Sequence, residues 1–208
     1  MKIDAQKFNY IARTVFAPVY PVLAHQMFER TGLTEGVCLD IGSGGGCLGL
    51  AIARNSGFKV YLLDESADMC EIATGNIEQL LMKGRVVALC GSMHAIPLEN
   101  GSIDLVVSRG SIYFWENMAQ VLREIWRVLA PGGQVYIGGG FGSEEIMNEI
   151  ILKMQVIDPD WQPMYHGFDD TLFVDAIAAA KISGAKIIKD ESGTWVTFQK
   201  PLELLSEG

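Results

Sequence analysis

The stretch Leu39-Asp40-Ile41-Gly42-Ser43-Gly44-Gly45-Gly46 sets a carboxylate two residues ahead of a loop made almost wholly of glycine. The apolar run Val37 to Ile41 reads as a buried strand, and Leu48 to Ala53 reads as a helix. A strand, a glycine-rich turn and a helix start bring backbone close to a ligand. Asp40 bears on which ligand. At a strand's carboxyl end it faces the ligand crevice, where it would repel a pyrophosphate and attract an ammonium group. That points away from a dinucleotide and towards S-adenosylmethionine (SAM), whose methionine half carries an amino group.

The elements that must position this loop alternate strand and helix. The pattern predicts an α/β fold, a doubly wound and mostly parallel sheet with helices on both faces. Residues 5–31 read as helical, with a break near Pro18 and Pro21 and a stop at Gly32. Strands are expected at 36–41, 59–63, 85–90, 103–108 and 134–137, the last entered through a Pro131-Gly132-Gly133 turn. Helices are expected at 46–55, from a Ser66 cap to Lys83, at 116–129, at 143–156 and from Asp170 or Thr171 to Ser183. Residues 186–189 and 194–199 read as a terminal hairpin, which supplies an antiparallel C-terminal strand. The chain divides into an N-terminal helical cap (1–35) and a core (36–200) of one domain.

Bulk properties narrow the function classes. A chain of 208 residues, 49% hydrophobic and 20% charged, suits one globular domain. The net charge of −9, without a Lys/Arg cluster, argues against nucleic acid as partner. Cysteines 38, 47, 70 and 90 form no C-x-x-C pair and read as small buried hydrophobes. His25, His94 and His166 have no ligand spacing, so no protein-held metal is expected. Met1 to Tyr10 is polar and mixed, and no apolar run reaches the ~18 residues of a membrane span. A reducing cytoplasm fits this cysteine usage.

Four segments in order carry a family resemblance. They are Asp40-Ile41-Gly42-Ser43-Gly44-Gly45-Gly46, the strand ending in Asp64, Ile103-Asp104-Leu105-Val106, and Arg127-Val128-Leu129-Ala130-Pro131-Gly132-Gly133. Together they resemble the class I SAM-dependent methyltransferases of the small-molecule branch, over residues 36 to 200. The resemblance implies a Rossmann-like fold, SAM as cofactor and S-adenosylhomocysteine as product. It implies that Gly42, Gly44 and Gly46 pass under the methionine portion, that Asp40 holds the ammonium group, and that Asp64 accepts from both ribose hydroxyls. Ser43 belongs to the same loop, and Met69 is placed to pack on adenine or ribose. After the third strand the family shows an acidic residue for the adenine amino group. Here Ser92 stands in its place, with the Met93 backbone beside it. Arg109 completes the expected cofactor set. It ends the fourth strand, where it would hold a carboxylate of SAM or of a substrate, or pair structurally with Asp104 or Glu116.

Methyl transfer from a sulfonium mainly requires alignment, so no catalytic triad is expected and no catalytic residue is assigned. His25 and His166 are candidate bases if an acceptor needs one. A small-molecule acceptor is expected, walled by Tyr20, Tyr113, Trp115 and Phe141, with Tyr10 and Phe16 as further aromatics on the N-terminal helices. The run Gly138-Gly139-Gly140-Phe141-Gly142 reads as a close approach to ligand or a lid hinge. Two other readings compete. Gly44-x-Gly46-x-x-Gly49 with Asp64 20 residues after Gly44 also fits a nicotinamide dehydrogenase, against which the position of Asp40 speaks. A SAM-binding regulatory module without catalysis is the other. The acceptor atom and the oligomeric state are not set by the sequence.

Overall fold

The computed structural model describes residues 4–163 and 170–202, and of Asp170 the backbone alone. Helices α1 (Ala5–Thr14) and α2 (Val19–Thr31) precede β1 (Val37–Ile41), α3 (Cys47–Asn55), β2 (Lys59–Asp64), α4 (Ala67–Gln79) and β3 (Val86–Cys90). Then come β4 (Ile103–Arg109), a single 3-10 turn Ile112–Phe114, α5 (Met118–Val128), β5 (Leu129–Gly140), α6 (Glu144–Ile157), α7 (Asp170–Ala180), β6 (Lys186–Asp190) and β7 (Gly193–Gln199). The seven strands order as β3-β2-β1-β4-β5-β7-β6. Pairs from β3 to β5 are parallel, and β7 is antiparallel to both β5 and β6. This is the doubly wound, mostly parallel sheet with an antiparallel C-terminal pair that the sequence pattern implies.

Two apolar layers cover the sheet. On one face, Leu23 and Met27 of α2, Leu50 and Ile52 of α3 and Ile150 of α6 pack with Val60, Leu62 and Trp195. On the other, Val121, Leu122 and Ile125 of α5 and Phe173 of α7 pack with Leu39, Ile41 and Val106. Strands covered on both faces read as near-continuous apolar runs, which is why they were legible. Local chemistry sets the boundaries. Asp4 accepts from Gln6 N and Lys7 N, Ser66 from Met69 N and Ser143 from Ile146 N, each capping a helix start. Gly32 closes α2 with φ 71°.

Two boundaries and the burial of one cysteine differ from the sequence expectation. α4 stops at Gln79, and Leu80 to Gly84 turn instead of continuing the helix. Pro131-Gly132-Gly133 is not a turn before the strand. Gly132 N donates to Lys200 O and Lys200 N to Gly133 O, both at 2.9 Å, so pairing draws β5 back to Leu129. Cys90, expected buried, is exposed at the end of β3, whereas Cys38 is fully buried.

The β3–β4 crossover, 91–102, carries no helix and is held by a side chain instead. Arg127 of α5 donates to Ile96 O (2.8 Å), Leu98 O (2.9 Å) and Asn100 Oδ1 (2.8 Å). It is itself oriented by Glu124 at 2.7 Å, whose other role is to accept from Ile96 N at 2.9 Å. The pairing holds the Glu124 carboxyl below its ordinary range. Arg127→Ala is expected to cost about 2 kcal/mol in urea unfolding, because it strips charged donors from two crossover carbonyls and leaves Glu124 unpaired. An unchanged unfolding midpoint would show that the crossover holds without it.

Candidate functional site

The strand order reverses between β1 and β4, which opens a crevice at the carboxyl ends of the strands. The Gly42–Gly46 loop lies there, suspended from the neighbouring strand. Gly42 N and Ser43 N both donate to Leu63 O, at 2.8 and 3.0 Å. Asp64, at the end of β2, extends the suspension: Oδ2 accepts from Gly44 N (2.8 Å) and Oδ1 from Ser66 N (3.0 Å). Each oxygen keeps a further lone-pair site. Gly42 has φ 65°, and a Cβ there would run into Ser111, whose Oγ donates to Ile41 O at 3.1 Å. Glycine at this position answers both to the left-handed backbone and to the approach of the β4 loop.

Asp40 is 2% exposed, and its Oδ2 accepts from Gly49 N, in the first turn of α3, at 2.9 Å. Burial pushes its carboxyl up to about 7; the Gly49 bond works against this and the Asp64 charge adds to it. Among the described residues no donor reaches Oδ1. Ser43 Oγ is likewise shielded from solvent with no hydrogen-bond partner among the described residues. The loop therefore leaves a carboxylate oxygen, a hydroxyl and the outer sites of Asp64 uncommitted, a donor and acceptor set that fits an amino acid joined to a ribose. Met69 sits beside it, its Sδ 3.9 Å from where a Cβ on Gly44 would lie.

Helix α1 covers the loop through a buried polar network that sequence reading missed. Asn76 of α4, 4% exposed, donates to Gly45 O (2.8 Å) and Asn9 Oδ1 (3.2 Å) and accepts from Arg13 at 2.8 Å. Phe8 packs over Gly44. One signal was available: Asn76 lies on the stripe of Ile72, Ala73 and Ile77, where an amide stays only with partners.

On the β5 side Arg109 gathers three of the expected aromatics. Its guanidinium lies 5.0 Å from the Phe16 ring centroid, 5.7 Å from Tyr20 and 5.4 Å from Phe141. Tyr113 is its further neighbour, and Nε donates to Gly140 O at 2.9 Å. Trp115 stands apart. It is 8% exposed in the core on the opposite face, and its indole donates to Ser111 Oγ at 3.1 Å. Tyr10 is 66% exposed. The glycine run 138–140 serves protein rather than ligand. A Cβ on Gly138 or Gly140 would meet the β7 and Ser192 backbone, and one on Gly139 would meet the Tyr113 ring. Ser92 Oγ accepts from His94 N at 3.2 Å within its own loop, and Met93 packs on the core of the α5 face. His94 is bound to Glu116 O at 2.7 Å. His25 lies on the exposed face of α2 beside Glu29, and His166 is outside the described residues.

Among the described residues there is no group of acidic, histidine or cysteine side chains that would hold a metal, and no helix long and apolar enough to cross a membrane. Residues 39–137 match the methyltransferase domain family. The chain is 38% identical to a protein from Methanococcus maripaludis described as a candidate S-adenosyl-L-methionine-dependent methyltransferase. The similarity covers 97% of this chain and 94% of that one, with a TM-score of 0.91. A SAM-dependent methyltransferase from Aquifex aeolicus shares the fold at 19% identity, covering 95% and 98% of the two chains, with a TM-score of 0.68. Demethylmenaquinone methyltransferase of Lactococcus lactis is 35% identical over 53% of this chain and 43% of its own. The chain spans less than half the length of that protein and of the next two curated relatives, 29% and 42%.

Asn76→Ala is expected to destabilise the protein by about 2 kcal/mol, because it leaves Gly45 O without its donor. It should also speed amide exchange in α1 relative to α3, since Asn9 and Arg13 lose their shared anchor. Equal protection of α1 in both proteins would show that apolar packing alone holds the helix.

Proposed function

The chain belongs to the class I SAM-dependent methyltransferases, and from that premise we propose that it methylates a small-molecule acceptor. The observation that carries this reading is the suspended Gly42–Gly46 loop, with Asp40, Ser43 and Asp64 holding polar atoms at the switch point that are not fully used by the described residues. SAM, when bound, supplies a methyl group on a positively charged sulfur, ready for in-line displacement by the acceptor.

The residues of this chain do the holding. Asp64 would accept from the ribose hydroxyls while keeping Gly44 and Ser66 in place. Asp40 would pair with the amino group, its other oxygen fixed by the first turn of α3. Met69 would pack along the loop, and α1, latched by Asn76, would close over the methionine portion and exclude water. Tyr20, Tyr113 and Phe141 would shape the acceptor side around Arg109. Burial keeps the Tyr20 hydroxyl protonated and raises the Cys47 thiol to about 11, so neither serves as a base near neutral pH. The arrangement works by alignment, and suits an acceptor that already presents its lone pair.

Calorimetric titration with SAM, S-adenosylhomocysteine and NADH is the direct test. Both sulfur ligands are expected to bind and NADH is not; binding of NADH alone would replace this reading with a dehydrogenase. Asp64→Ala should weaken S-adenosylhomocysteine binding by about tenfold or more, the scale of losing hydrogen bonds to a charged acceptor.

Asp40 gives the binding a pH dependence of definite sign. With its carboxyl raised to about 7, it is mostly protonated at pH 6 and must ionise to pair with an ammonium group. Affinity for S-adenosylhomocysteine should therefore rise with pH, by up to about tenfold per unit below pH 7, and level off above. Binding at pH 6 should release a proton, seen as buffer-dependent heat. Asp40→Asn, which can still accept from Gly49, should bind more weakly and lose this profile. A flat profile in the wild-type protein would remove Asp40 from the ammonium site.

A further inference from the structure

Arg109 is a half-buried cation with no matching negative charge in its surroundings among the described residues. Three aromatic rings frame it at 5.0 to 5.7 Å, from Phe16, Tyr20 and Phe141. Nε is taken by Gly140 O at 2.9 Å, and the Tyr20 oxygen is placed to accept from one more N–H. A guanidinium has five donors, so three remain. Among the described residues no carboxylate lies within ion-pair distance of it. Asp104, a partner expected from the sequence, accepts from Val37 N at 2.8 Å instead, and Glu116 is exposed. Cys47 and Tyr20, which face the guanidinium, are both held neutral by burial. Aromatic faces offset only part of the cost of an uncompensated charge among apolar groups. The residue is nevertheless partly open to solvent.

We propose that Arg109 seats a carboxylate of the methyl acceptor, with Phe16, Tyr20 and Phe141 packed around the acceptor's apolar body. The assignment rests on the methyltransferase reading and names the substrate class for that site: a small organic acid with an apolar or aromatic frame. Two observations place this anion on the acceptor rather than on the amino-acid end of the cofactor. The Nε bond to Gly140 anchors the guanidinium on the β5 side of β4, although Cys47, next to the glycine loop, also faces it. The three rings come from the α1–α2 junction and from the residue after β5, all outside residues 39–137 matched by the family. A carboxylate, rather than a dianionic phosphate, balances the single charge of the fork.

The probes are benzoate and its neutral counterpart benzamide, each titrated by calorimetry and ligand-observed NMR into protein saturated with S-adenosylhomocysteine. Benzoate is expected to bind at least about tenfold more tightly than benzamide, the scale of a charge-assisted pair. Arg109→Gln should abolish that preference and leave the dissociation constant for S-adenosylhomocysteine within about twofold. Arg109→Lys, which keeps the charge but loses the fork, should retain part of the preference and guards against a Gln variant that fails to fold. Equal binding of benzoate and benzamide by the wild-type protein would overturn the assignment, as would a benzoate preference that survives Arg109→Gln. Tenfold weaker S-adenosylhomocysteine binding in folded Arg109→Gln would also overturn it, by moving Arg109 to the cofactor's carboxylate. If wild-type protein binds no S-adenosylhomocysteine, the methyltransferase reading falls and this assignment falls with it. Normal cofactor binding without acid preference overturns the assignment alone.

Discussion

The glycine loop has few contacts of its own and holds its shape because a neighbouring strand supplies its hydrogen bonds. Leu63 O accepts from both Gly42 N and Ser43 N, and the Asp64 carboxylate accepts from Gly44 N. A loop without side chains has little to bury, so its order must come from backbone groups satisfied elsewhere. That condition sets the register of β1 against β2, which pairs Ile41 with Leu63. It also places Asp64 at the crevice as the anchor of the loop, with remaining lone pairs that a ligand would use. The same constraint extends outward through Gly45 O, which binds Asn76 and through it Asn9 and Arg13 of α1. Cap, loop and sheet edge are thus one hydrogen-bonded assembly rather than a scaffold with a separate lid.

What the sequence disclosed is what local chemistry encodes. The strand, glycine loop and helix around Asp40 were legible because hydrophobic runs, positive-φ glycines and helix caps act within a few residues of each other. Asp64 was legible through its position at the end of an apolar strand. The terminal hairpin was legible because Asp190 to Gly193 interrupt two β-like runs, and Asp190 Oδ1 does accept from Ser192 N at 2.9 Å. Trp115 and Phe141 show where this stops. Both are aromatics next to strand ends, yet Trp115 folds under Ser111 to the α5 side while Phe141 stays with Arg109. Which face an aromatic takes after a strand depends on the path of the loop, and the 3-10 turn Ile112–Phe114 that decides it carries no marked signal. The glycines at 138–140 mislead for a related reason. Their lack of side chains accommodates β7 and the Tyr113 ring, partners that sequence distance conceals.

The electrostatics of the crevice follow from which charges the fold leaves unanswered. Two half-buried arginines are answered by carboxylates: Arg127 by Glu124, and Arg30 by Asp190 at 2.8 Å, where it ties α2 to the terminal hairpin. Asp40 and Arg109 have no such partner among the described residues, in opposite senses. Asp40 is a carboxyl in an apolar strand, with one backbone donor and a raised pKa near 7. Arg109 is a guanidinium among rings, and burial lowers its proton affinity. The two do not answer each other, because the Cys47 thiol and Tyr20 hydroxyl lie near both and are neutral. Each charge carries a desolvation cost in the crevice that a ligand of opposite sign would relieve. An ammonium group at Asp40 and a carboxylate at Arg109 would relieve both. The ligands of the two positions would then be ordered across the switch point, with cofactor over β1 and β2 and acceptor over β4 and β5. The reacting pair would be brought together by two charges that have no opposite partner among the described residues.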